Sequence, residues 1–310
     1  MPAPTSDGEA GVVAVTGASG FIGAQVLSRL NQLELPSRAV IRHKRNRTLN
    51  LPASTEIVSG SLHDLEALDV LLKRAKTCIH AAGATKSIGK TEFQRTNVVG
   101  THNIAAQAVA AGVEHFIYIS SQAARAPDIS DYAASKAESE TALLALQSQM
   151  KVTIIRPPAV IGPGDPMLQP MFDLIRAGWL PAPGAPKNAP RKFAVISVRD
   201  LADHIVSVAQ TSEASAQVLE PCSIPATNWK EVAEIASDVL ERKVRLLPIW
   251  PGLMKGAGHL ADGVAALTRR PLPLSNNKVS ELIAVDWTYD HAISDAMSLK
   301  EIFEECLLDH

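Results

Sequence analysis

The feature that most constrains the fold is a glycine-rich turn near the N-terminus. The turn, Thr16-Gly17-Ala18-Ser19-Gly20-Phe21-Ile22-Gly23, follows a short apolar run that begins at Val12. A segment with helical spacing, Phe21 to Leu30, comes directly after it. An apolar strand that leads through glycines into a helix is typical of a sheet whose strands are parallel and buried. The chain is therefore expected to be an α/β protein.

The alternation of strands and helices continues along the first half of the chain. Apolar runs predict further strands at residues 38–42, 56–58, 77–80, 116–120 and 152–156, and helical spacing predicts helices at residues 64–73, 96–111 and 132–150. Strands that alternate with helices of this length predict a Rossmann-type doubly wound parallel sheet, covered by helices on both faces.

The glycine turn predicts a dinucleotide-binding site. Gly17 allows a tight turn, Gly20 lets a pyrophosphate approach the backbone, and Gly23 lets the helix pack close to the strand. The free N–H groups at the helix N-terminus then face the phosphates. The spacing is Gly-x-x-Gly-x-x-Gly rather than the commoner Gly-x-Gly-x-x-Gly, and a glycine turn without a ligand is the alternative. Within the turn, Ser19, Phe21 and Ile22 join the three glycines as predicted cofactor contacts.

A basic residue, Arg42, stands at the end of the second predicted strand, and residues 43–47 hold further cations. A cofactor with a free ribose 2′-OH prefers an acidic residue at this place, whereas a guanidinium is a good partner for a 2′-phosphate. NADP is therefore the expected cofactor, with NAD as the alternative. The other interpretation of this segment is a solvated basic loop.

A second group of polar residues follows two later elements. Ser120-Ser121 ends a predicted strand, and Tyr132-Ala133-Ala134-Ser135-Lys136 opens a predicted helix, where residues four apart lie on one face. A phenol is a poor acid or base at neutral pH, and a neighbouring ammonium lowers its pKa. Tyr132 is then expected to exchange a proton with a substrate oxygen that a serine holds in place. An isolated Tyr-x-x-x-Lys can also be a plain surface pair, but the glycine turn and the serines favour the catalytic interpretation.

Taken together, these motifs resemble those of the extended short-chain dehydrogenases/reductases, the NAD(P)-dependent epimerase/dehydratase family. They run in the order of that family from Val12 to Ala209. Besides the glycine turn, the serines and the Tyr-x-x-x-Lys pair, they comprise His80-Ala81-Ala82-Gly83, Asn97-Val98-Val99-Gly100-Thr101, Arg156-Pro157-Pro158-Ala159-Val160-Ile161-Gly162-Pro163-Gly164-Asp165 and Val195-Ile196-Ser197-Val198-Arg199-Asp200-Leu201-Ala202.

The resemblance implies roles for individual residues. Ser121, rather than Ser120, matches the serine that orients the substrate. Tyr132 matches the acid/base, and Lys136 matches the residue that binds the nicotinamide ribose and tunes Tyr132. The resemblance also implies cofactor contacts at Ser61, Leu62, Ala81, Ala82, Gly83, Pro157 and Val160. Because Ser61-Leu62 stands where the family often has an acidic residue near the adenine, the adenine contact there is expected to be weak.

Several other polar residues are expected to be structural. His80 ends an apolar strand, where a satisfied structural role is favoured over that of a proton carrier. Asn97 opens a helix, Asp64 is expected to cap the helix that follows it, and Asp200 is expected to hold the segment that joins two lobes. Arg125 faces either the substrate or solvent.

These motifs and the prolines divide the chain. Nine prolines fall within residues 157–190, a density that predicts irregular chain or short helices. We expect a disordered N-terminal tail at residues 1–11, a dinucleotide-binding Rossmann domain at 12–160, and a smaller, mostly helical substrate-binding lobe at 161–310, with segments near 193–209 returning to the Rossmann body. Within that lobe, the apolar stretch Leu246 to Leu267 is expected to be a core-facing amphipathic helix, and a pocket lining for an apolar substrate is the alternative.

Composition excludes several classes of protein. A hydrophobic fraction of 46% and a charged fraction of 20% exclude a disordered chain. A net charge of -2 and 4% aromatic residues argue against a nucleic-acid partner. Three scattered cysteines predict neither a disulfide framework nor a metal site, and they favour a reducing compartment. Because the sequence has neither an apolar leader nor a long apolar run, we expect a cytoplasmic protein without a membrane partner.

The expected function is that of an NAD(P)-dependent oxidoreductase acting on a small-molecule substrate, with hydride moving between the nicotinamide and a carbinol or carbonyl carbon. Net ketone/alcohol redox and sugar-nucleotide epimerisation or dehydration both remain open. Only ten residues separate Ser121 from Tyr132, and this short segment puts a nucleotide-sugar substrate in doubt. The alternative is a non-catalytic NADP-binding sensor or assembly subunit, against which Ser121, Tyr132 and Lys136 argue. The resemblance also implies that the chain can form a homodimer.

Overall fold

The computed structural model describes residues 11–42, 51–87, 89–184, 191–211, 217–268, 272, 275–284 and 286–308. Its strands are β1 Val12–Thr16, β2 Ser37–Ile41, β3 Thr55–Ser59, β4 Ala75–His80, β5 His115–Ile119, β6 Lys151–Ile155, β7 Ala159–Ile161, β8 Trp179–Pro183, β9 Lys192–Ser197, β10 Gln217–Leu219, β11 Ile224–Asn228 and β12 Arg245–Ile249.

The helices are α1 Phe21–Gln32, α2 Leu65–Leu72, α3 Lys90–Phe93, α4 Gly100–Ala110, α5 Asp131–Leu144, α6 Gln169–Arg176, α7 Val198–Gln210, α8 Trp229–Val239, α9 Pro251–Thr268, α10 Asn276–Ile283 and α11 Leu299–Leu308. A π-helical turn, Gln94–Val99, joins α3 to α4, and two short 3₁₀ turns, Gln122–Arg125 and Pro127–Ile129, lie between β5 and α5.

Seven parallel strands form the main sheet in the order β10-β6-β5-β4-β1-β2-β3. The chain winds outward from β1 to β3, returns to β4 and then winds the other way. Consequently the strand order reverses between β1 and β4. In register, Thr16 lies opposite His80, and His80 lies opposite Tyr118. The carboxyl ends of β1, β4 and β5 therefore share one edge, at the point where ligands bind in open sheets of this kind.

Helices cover both faces of this sheet. On one face Leu68, Ile104 and Leu143 from α2, α4 and α5 pack on the strands. On the other face Leu27 of α1 and Ile205 of α7 do so. These helices lie flat on the sheet because their apolar residues recur at helical spacing. The predicted doubly wound sheet is confirmed.

A third apolar cluster belongs to the smaller C-terminal lobe. It combines α6, α8 and α11 with β7, β8 and β9, which form parts of a three-stranded and a two-stranded sheet. Two later segments return to the main sheet. Helix α7 packs on α1 beside the sheet, and β10 pairs with β6 at its edge. The division of the chain at residue 160 stays a prediction, and the expected tail at residues 1–10 lies outside the described residues.

The predicted elements need three corrections. Helix α5 ends at Leu144, earlier than the predicted 150, and turns follow it to residue 149. The predicted helix at residues 96–111 has a π-helical start. The apolar stretch Leu246 to Leu267 begins as strand β12, and only Met254, Gly258 and Ala265 of α9 are buried, so the expectation of a simple core-facing helix is wrong.

A buried ion pair connects α5 to the neighbouring strands. The Glu140 carboxylate accepts hydrogen bonds from Arg156 Nη2 at 2.6 Å and from Ser120 Oγ at 2.5 Å. Arg156 also meets Glu220 at 3.4 Å, just after β10. The Glu140 side chain is buried and Arg156 is half-buried, so each charge depends on the other for compensation.

We expect Glu140→Ala to lower the free energy of unfolding by about 3 kcal/mol, because Arg156 would remain half-buried without its main partner. The measurement is urea unfolding followed by circular dichroism. Glu138→Ala, at an exposed position of the same helix, is the control and is expected to change stability by no more than about 0.5 kcal/mol. Equal losses for the two variants would contradict this account.

Gly17 fixes the glycine turn against β4. Its φ of +75° is in the left-handed region, and a Cβ at this position would lie 2.5 Å from the carbonyl carbon of Ala81. Backbone atoms cannot move aside as a flexible side chain can. The turn therefore needs glycine both for its dihedral angle and for its closeness to the next strand.

Gly17→Ala is expected to destabilise the protein by about 2 to 4 kcal/mol, the sum of backbone strain and a clash with β4. Gly112→Ala is the matched control. Gly112 has a similar φ of +72° but open space where the Cβ would be, so only the strain of about 1 kcal/mol should be measured there. Thermal or urea unfolding of the two variants decides the matter, and similar losses would mean that the contact with β4 is unimportant.

Candidate active site

The glycine turn presents backbone N–H groups at the sheet edge. Helix α1 begins after Gly20 without a side-chain cap and without an acidic residue in its first turn. Gly20 N donates to Gly17 O at 2.8 Å, which closes the turn, and Ser19 and Gly20 are exposed. The first N–H groups of α1 have no partner within the helix. This end of the helix fits the pyrophosphate of a dinucleotide.

Tyr132, Lys136 and Ser121 come together beside this turn. Tyr132 and Lys136 lie one turn apart on α5, which Ser130 caps by accepting a hydrogen bond from Ala133 N at 3.0 Å. The side chain of Ser121, just after β5, lies close enough to the Tyr132 phenol to lower its pKa. The Tyr132 ring is half-buried and lies 5.9 Å from the ring of Phe93.

The Lys136 ammonium is buried and held in place. Its Nζ donates to Ile119 O at 2.7 Å and to Tyr118 Oη at 3.1 Å, and it lies 4.5 Å from the centre of the Tyr118 ring. Gly83 leaves room on the remaining side, since a Cβ there would lie 3.6 Å from Lys136 Nζ. Two of the three ammonium hydrogens thus have hydrogen-bond acceptors, and the exposed Gly83 leaves the crevice open beside the third.

Burial dominates the titration of this pair. It raises the pKa of Tyr132 above the ordinary phenol value, and the charge of Lys136 and the nearby Ser121 hydroxyl offset only part of that effect. Glu281 of α10 contributes a further increase in the Tyr132 pKa. Burial also lowers the pKa of Lys136. The charge of Lys136 lowers the Tyr132 pKa as expected, but burial outweighs it in the protein without a cofactor, so Tyr132 is protonated at neutral pH.

The two serines differ in their environments. Ser120 is buried and donates to Glu140, so it belongs to the ion pair under α5. Ser121 is half-buried, and its Oγ also accepts from Ala123 N at 3.2 Å. Ser121 is the serine that influences the Tyr132 pKa, and its role in orienting a substrate stays a prediction.

Asn97 links the loop after β4 to α5. Its side chain accepts from Ala84 N at 2.7 Å and donates to Ala84 O and to Ser135 Oγ. Ser135 in turn donates to Tyr132 O at 2.8 Å. The π-helical turn at Gln94–Val99 brings this amide inward, a use of π-turns that is frequent at functional sites. Asn97 therefore positions both Gly83 and the Tyr132 backbone.

His80 is neutral and fully paired. It lies between Thr16 Oγ1 at 2.6 Å and Thr101 Oγ1 at 2.9 Å, and its ring stacks on Tyr118. Burial, with a smaller effect of the Lys136 charge, lowers the pKa of His80 to about 3. Thr16 Oγ1 also accepts from Ala82 N at 3.3 Å. These bonds tie β1, β4 and α4 together beneath the crevice and fit the structural role that the sequence favours.

The other residues predicted to contact the cofactor lie along the same edge. Arg42 is exposed just after β2, whereas residues 43–47 lie outside the described residues. Ser61 is half-buried after β3. The side chain of Leu62 belongs to the core and lies close to Gly100. A cofactor contact at Leu62 would therefore use its backbone. Pro157 and Val160 follow β6, and Pro157 O accepts from Gln122 N at 3.0 Å, next to Ser121.

The remaining structural assignments can be checked directly. Asp64 caps α2 by accepting from Ala67 N at 3.1 Å. Asp200 accepts from Ser223 Oγ and Met297 N, which joins α7 to the C-terminal lobe. Arg125 lies over the Tyr289 ring, 5.4 Å from its centre, and donates to Thr288 O, so it holds a C-terminal segment.

Three functional neighbours of Tyr132 were not predicted. Tyr118 holds Lys136, Phe93 packs on the phenol ring, and Glu281 adds negative charge near it. Tyr118 has a signal in the sequence, because its hydroxyl is a polar group among the apolar residues that precede Ser120. No sequence signal indicates Glu281, because it approaches Tyr132 from α10, about 150 residues further along the chain. Within the described ranges, no three His, Cys, Asp or Glu side chains cluster as metal ligands would.

Comparison with known proteins agrees with this geometry. The sequence profile described as the NAD dependent epimerase/dehydratase family matches residues 13–219. A ceramide reductase from Caulobacter vibrioides is 35% identical over 280 residues, 90% of this chain and 86% of that protein. A UDP-glucose 4-epimerase from Vibrio cholerae is 28% identical over 232 residues, 66% of this chain and 69% of that protein.

Solved structures share the fold. The crystal structure of gox2253 superposes with a TM-score of 0.74 at 19% identity and covers 97% of both chains. MoeE5 in complex with UDP-glucose and NAD superposes with a TM-score of 0.65 at 24% identity, over 77% of this chain and 85% of that one. With the profile match spanning the sheet, the glycine turn and the Tyr132 helix, this chain belongs to the NAD-dependent epimerase/dehydratase family.

Proposed function

We propose that this protein is an NADPH-dependent reductase that converts a ketone of a long-chain lipid of the ceramide class to the alcohol. The observation that carries the proposal is the grouping of Tyr132, Lys136 and Ser121 beside a glycine turn that fits a dinucleotide. The substrate class rests on the ceramide reductase, whose similarity to this chain extends through the C-terminal lobe.

The residues of this chain donate the proton and orient the carbonyl group of the substrate. A nicotinamide cofactor, when bound, supplies the hydride. Ser121 Oγ donates a hydrogen bond to the carbonyl oxygen and orients it toward Tyr132 Oη. Tyr132 Oη then gives its proton to that oxygen, and solvent restores the proton. The Lys136 ammonium stabilises the phenolate that remains, because the opposite charges face each other in a poorly hydrated site.

The protonation state of Tyr132 suits ketone reduction. A proton donor must carry its proton at the working pH, and a phenol whose pKa lies above its ordinary value carries it at neutral pH. Removing a proton from an alcohol would instead require the phenolate form. Net ketone reduction therefore suits the resting state of this site better than net alcohol oxidation does.

The preference for NADPH rests on the end of β2. Arg42 is exposed there, and no acidic residue is present at that strand end in the sequence to pair with a ribose 2′-OH. A guanidinium can pair with both oxygens of a 2′-phosphate.

The reaction class is tested by mixing the pure protein with NADPH and a panel of ketones that includes long-chain lipid amides. Steady loss of the reduced-cofactor absorbance with a lipid ketone supports the proposal. Turnover of UDP-glucose without net loss of cofactor would instead indicate an epimerase, the activity named for the Vibrio cholerae relative. Cofactor binding without turnover of any compound would favour a sensor or an assembly subunit.

Tyr132→Phe is expected to lower kcat for ketone reduction by at least about 100-fold, because the proton donor is lost while the ring remains. Ser121→Ala should also lower kcat about 100-fold by removing the donor to the carbonyl oxygen. Ser120→Ala is the matched control. It should keep kcat near the unmodified value and lower the unfolding temperature instead, because Ser120 contacts Glu140 rather than Tyr132. Equal kcat losses at the two serines would contradict the assignment of Ser121.

Arg42→Ala is expected to raise KM for NADPH about 10-fold to 100-fold, the effect of losing a charge-assisted pair. KM for NADH should stay unchanged, because that cofactor has no 2′-phosphate. Steady-state kinetics with both cofactors and one ketone provide the measurement. A parallel rise of both KM values would mean that Arg42 contacts the adenosine in general, and the preference for NADPH would then be rejected.

A further inference from the structure

Helix α9 packs on its neighbour through one narrow face. Met254, Gly258 and Ala265 are its buried residues, and Gly258 brings it close to α10, since a Cβ there would lie 3.1 Å from Asn276 Cα. Asp262 accepts from Asn276 N at 3.1 Å at the edge of this contact. The two helices therefore form a pair with α9 on the outside.

A second apolar face of α9 points away from α10. The outer stripe consists of Leu253, Ala257, Leu260, Val264 and Leu267, which are spaced four and three residues apart in turn. Leu253 is 64% exposed, Leu260 71% and Leu267 87%. At the rise of a helix this stripe is about 21 Å long. A continuous apolar row of that length on a protein surface marks an interaction site.

The α9 segment suits a membrane surface with anionic lipids. Lys255, His259 and Asp262 are exposed on the side of the helix away from the outer stripe, and there the charges of Lys255 and Asp262 balance. The sequence continues after the helix with Arg269 and Arg270, which lie outside the described residues, so the segment from Pro251 to Arg270 has a formal net charge of +2. An exposed apolar face, a polar opposite face and a net positive charge are the features of a helix that lies in the headgroup region of anionic lipids.

The helix pair is also tied to the start of the candidate catalytic helix. Asn277 of α10 accepts from Asp131 N at 3.1 Å, and Ser130 Oγ donates to Glu281 at 2.8 Å. Tyr132 is the next residue along α5. The helix pair therefore connects the outer stripe to the residues next to the proposed proton donor.

We propose that the outer stripe docks on a lipid bilayer that contains anionic phospholipids, with α9 lying in the plane of the surface. The choice of a bilayer as the partner rests on the proposed function, because a ceramide-class substrate resides in a membrane. None of the helices in the described part of the chain has the length and apolar character needed to cross a bilayer, so the contact is one of surface binding. This proposal replaces the expectation from the sequence that the protein has no membrane partner.

The test is co-flotation of the full-length protein with vesicles of equal parts phosphatidylglycerol and phosphatidylethanolamine. Leu253→Gln/Leu260→Gln should weaken vesicle binding at least about 10-fold, because each leucine loses its burial in lipid. Glutamine keeps the helix propensity of leucine, so the fold should be retained. Leu174→Gln, at an exposed leucine of α6, is the matched control and should bind vesicles as the unmodified protein does.

Three results would overturn the proposal. The first is failure of the unmodified protein to float with the anionic vesicles. The second is equal binding to pure phosphatidylcholine vesicles, which would remove the role of charge. The third is a change in sedimentation from dimer to monomer in the double variant without any vesicle binding by the unmodified protein, which would assign the outer stripe to a second copy of the chain.

The result for docking is separate from that for the proposed function. NADPH affinity, measured by fluorescence, should be the same in the double variant and the control, because none of the residues predicted to contact the cofactor belongs to the outer stripe. A protein that floats with anionic vesicles but reduces no ketone supports docking and rejects the reductase. A reductase of dispersed lipid ketones that never floats rejects docking alone.

Discussion

A buried ammonium is the interaction on which the candidate site depends. Lys136 lies behind Tyr132 among apolar strands, where an unpaired charge would be strongly unfavourable. Its hydrogen bonds to Ile119 O and Tyr118 Oη, and its position over the Tyr118 ring, compensate for the lost water. Because those partners stand at the end of β5, the sheet itself fixes where the charge can be. Tyr132 lies one helical turn before Lys136 on α5, so the position of the ammonium also fixes the position of the phenol.

The polar groups beneath the site form a connected set. Thr16, His80 and Thr101 link β1, β4 and α4, and Asn97 with Ser135 links the next loop to the backbone of Tyr132. Each member is buried and paired, and a buried polar network that is fully satisfied is rigid. Glu140 and Arg156 anchor the other end of α5. Tyr132 is therefore held from two directions, which leaves the crevice above Gly83 as the open side.

The sequence predicted those features that depend on interactions between residues close together in the chain. The glycine turn, the parallel strands and the cap at Asp64 follow from dihedral angles, apolar runs and hydrogen bonds within a few residues. The preference for Ser121 over Ser120 needed the resemblance, because the contact between Ser120 and Glu140 joins residues that are distant in the sequence. Three features were not predictable, because each depends on distant segments: the raised pKa of Tyr132, the approach of Glu281, and the exposed side of α9. Apolar spacing in α9 indicated a helix with an apolar face, but it could not say which part of that face the protein covers.

The composition of α9 makes its outer face significant for stability as well as for binding. The helix contains Gly252, Gly256, Gly258 and Gly263, and each glycine in a helix interior costs about 1 kcal/mol relative to alanine. Only Gly258 gains a close contact with α10 in return. A helix this rich in glycine obtains its order from packing rather than from propensity, and α10 covers only its narrow inner face. Contact along the outer stripe would therefore order α9 while it brings the helix pair, and with it the Ser130–Tyr132 end of α5, to the surface that holds the substrate. In this arrangement the apolar residues that are exposed to water in the free protein would link membrane binding to the geometry around Tyr132.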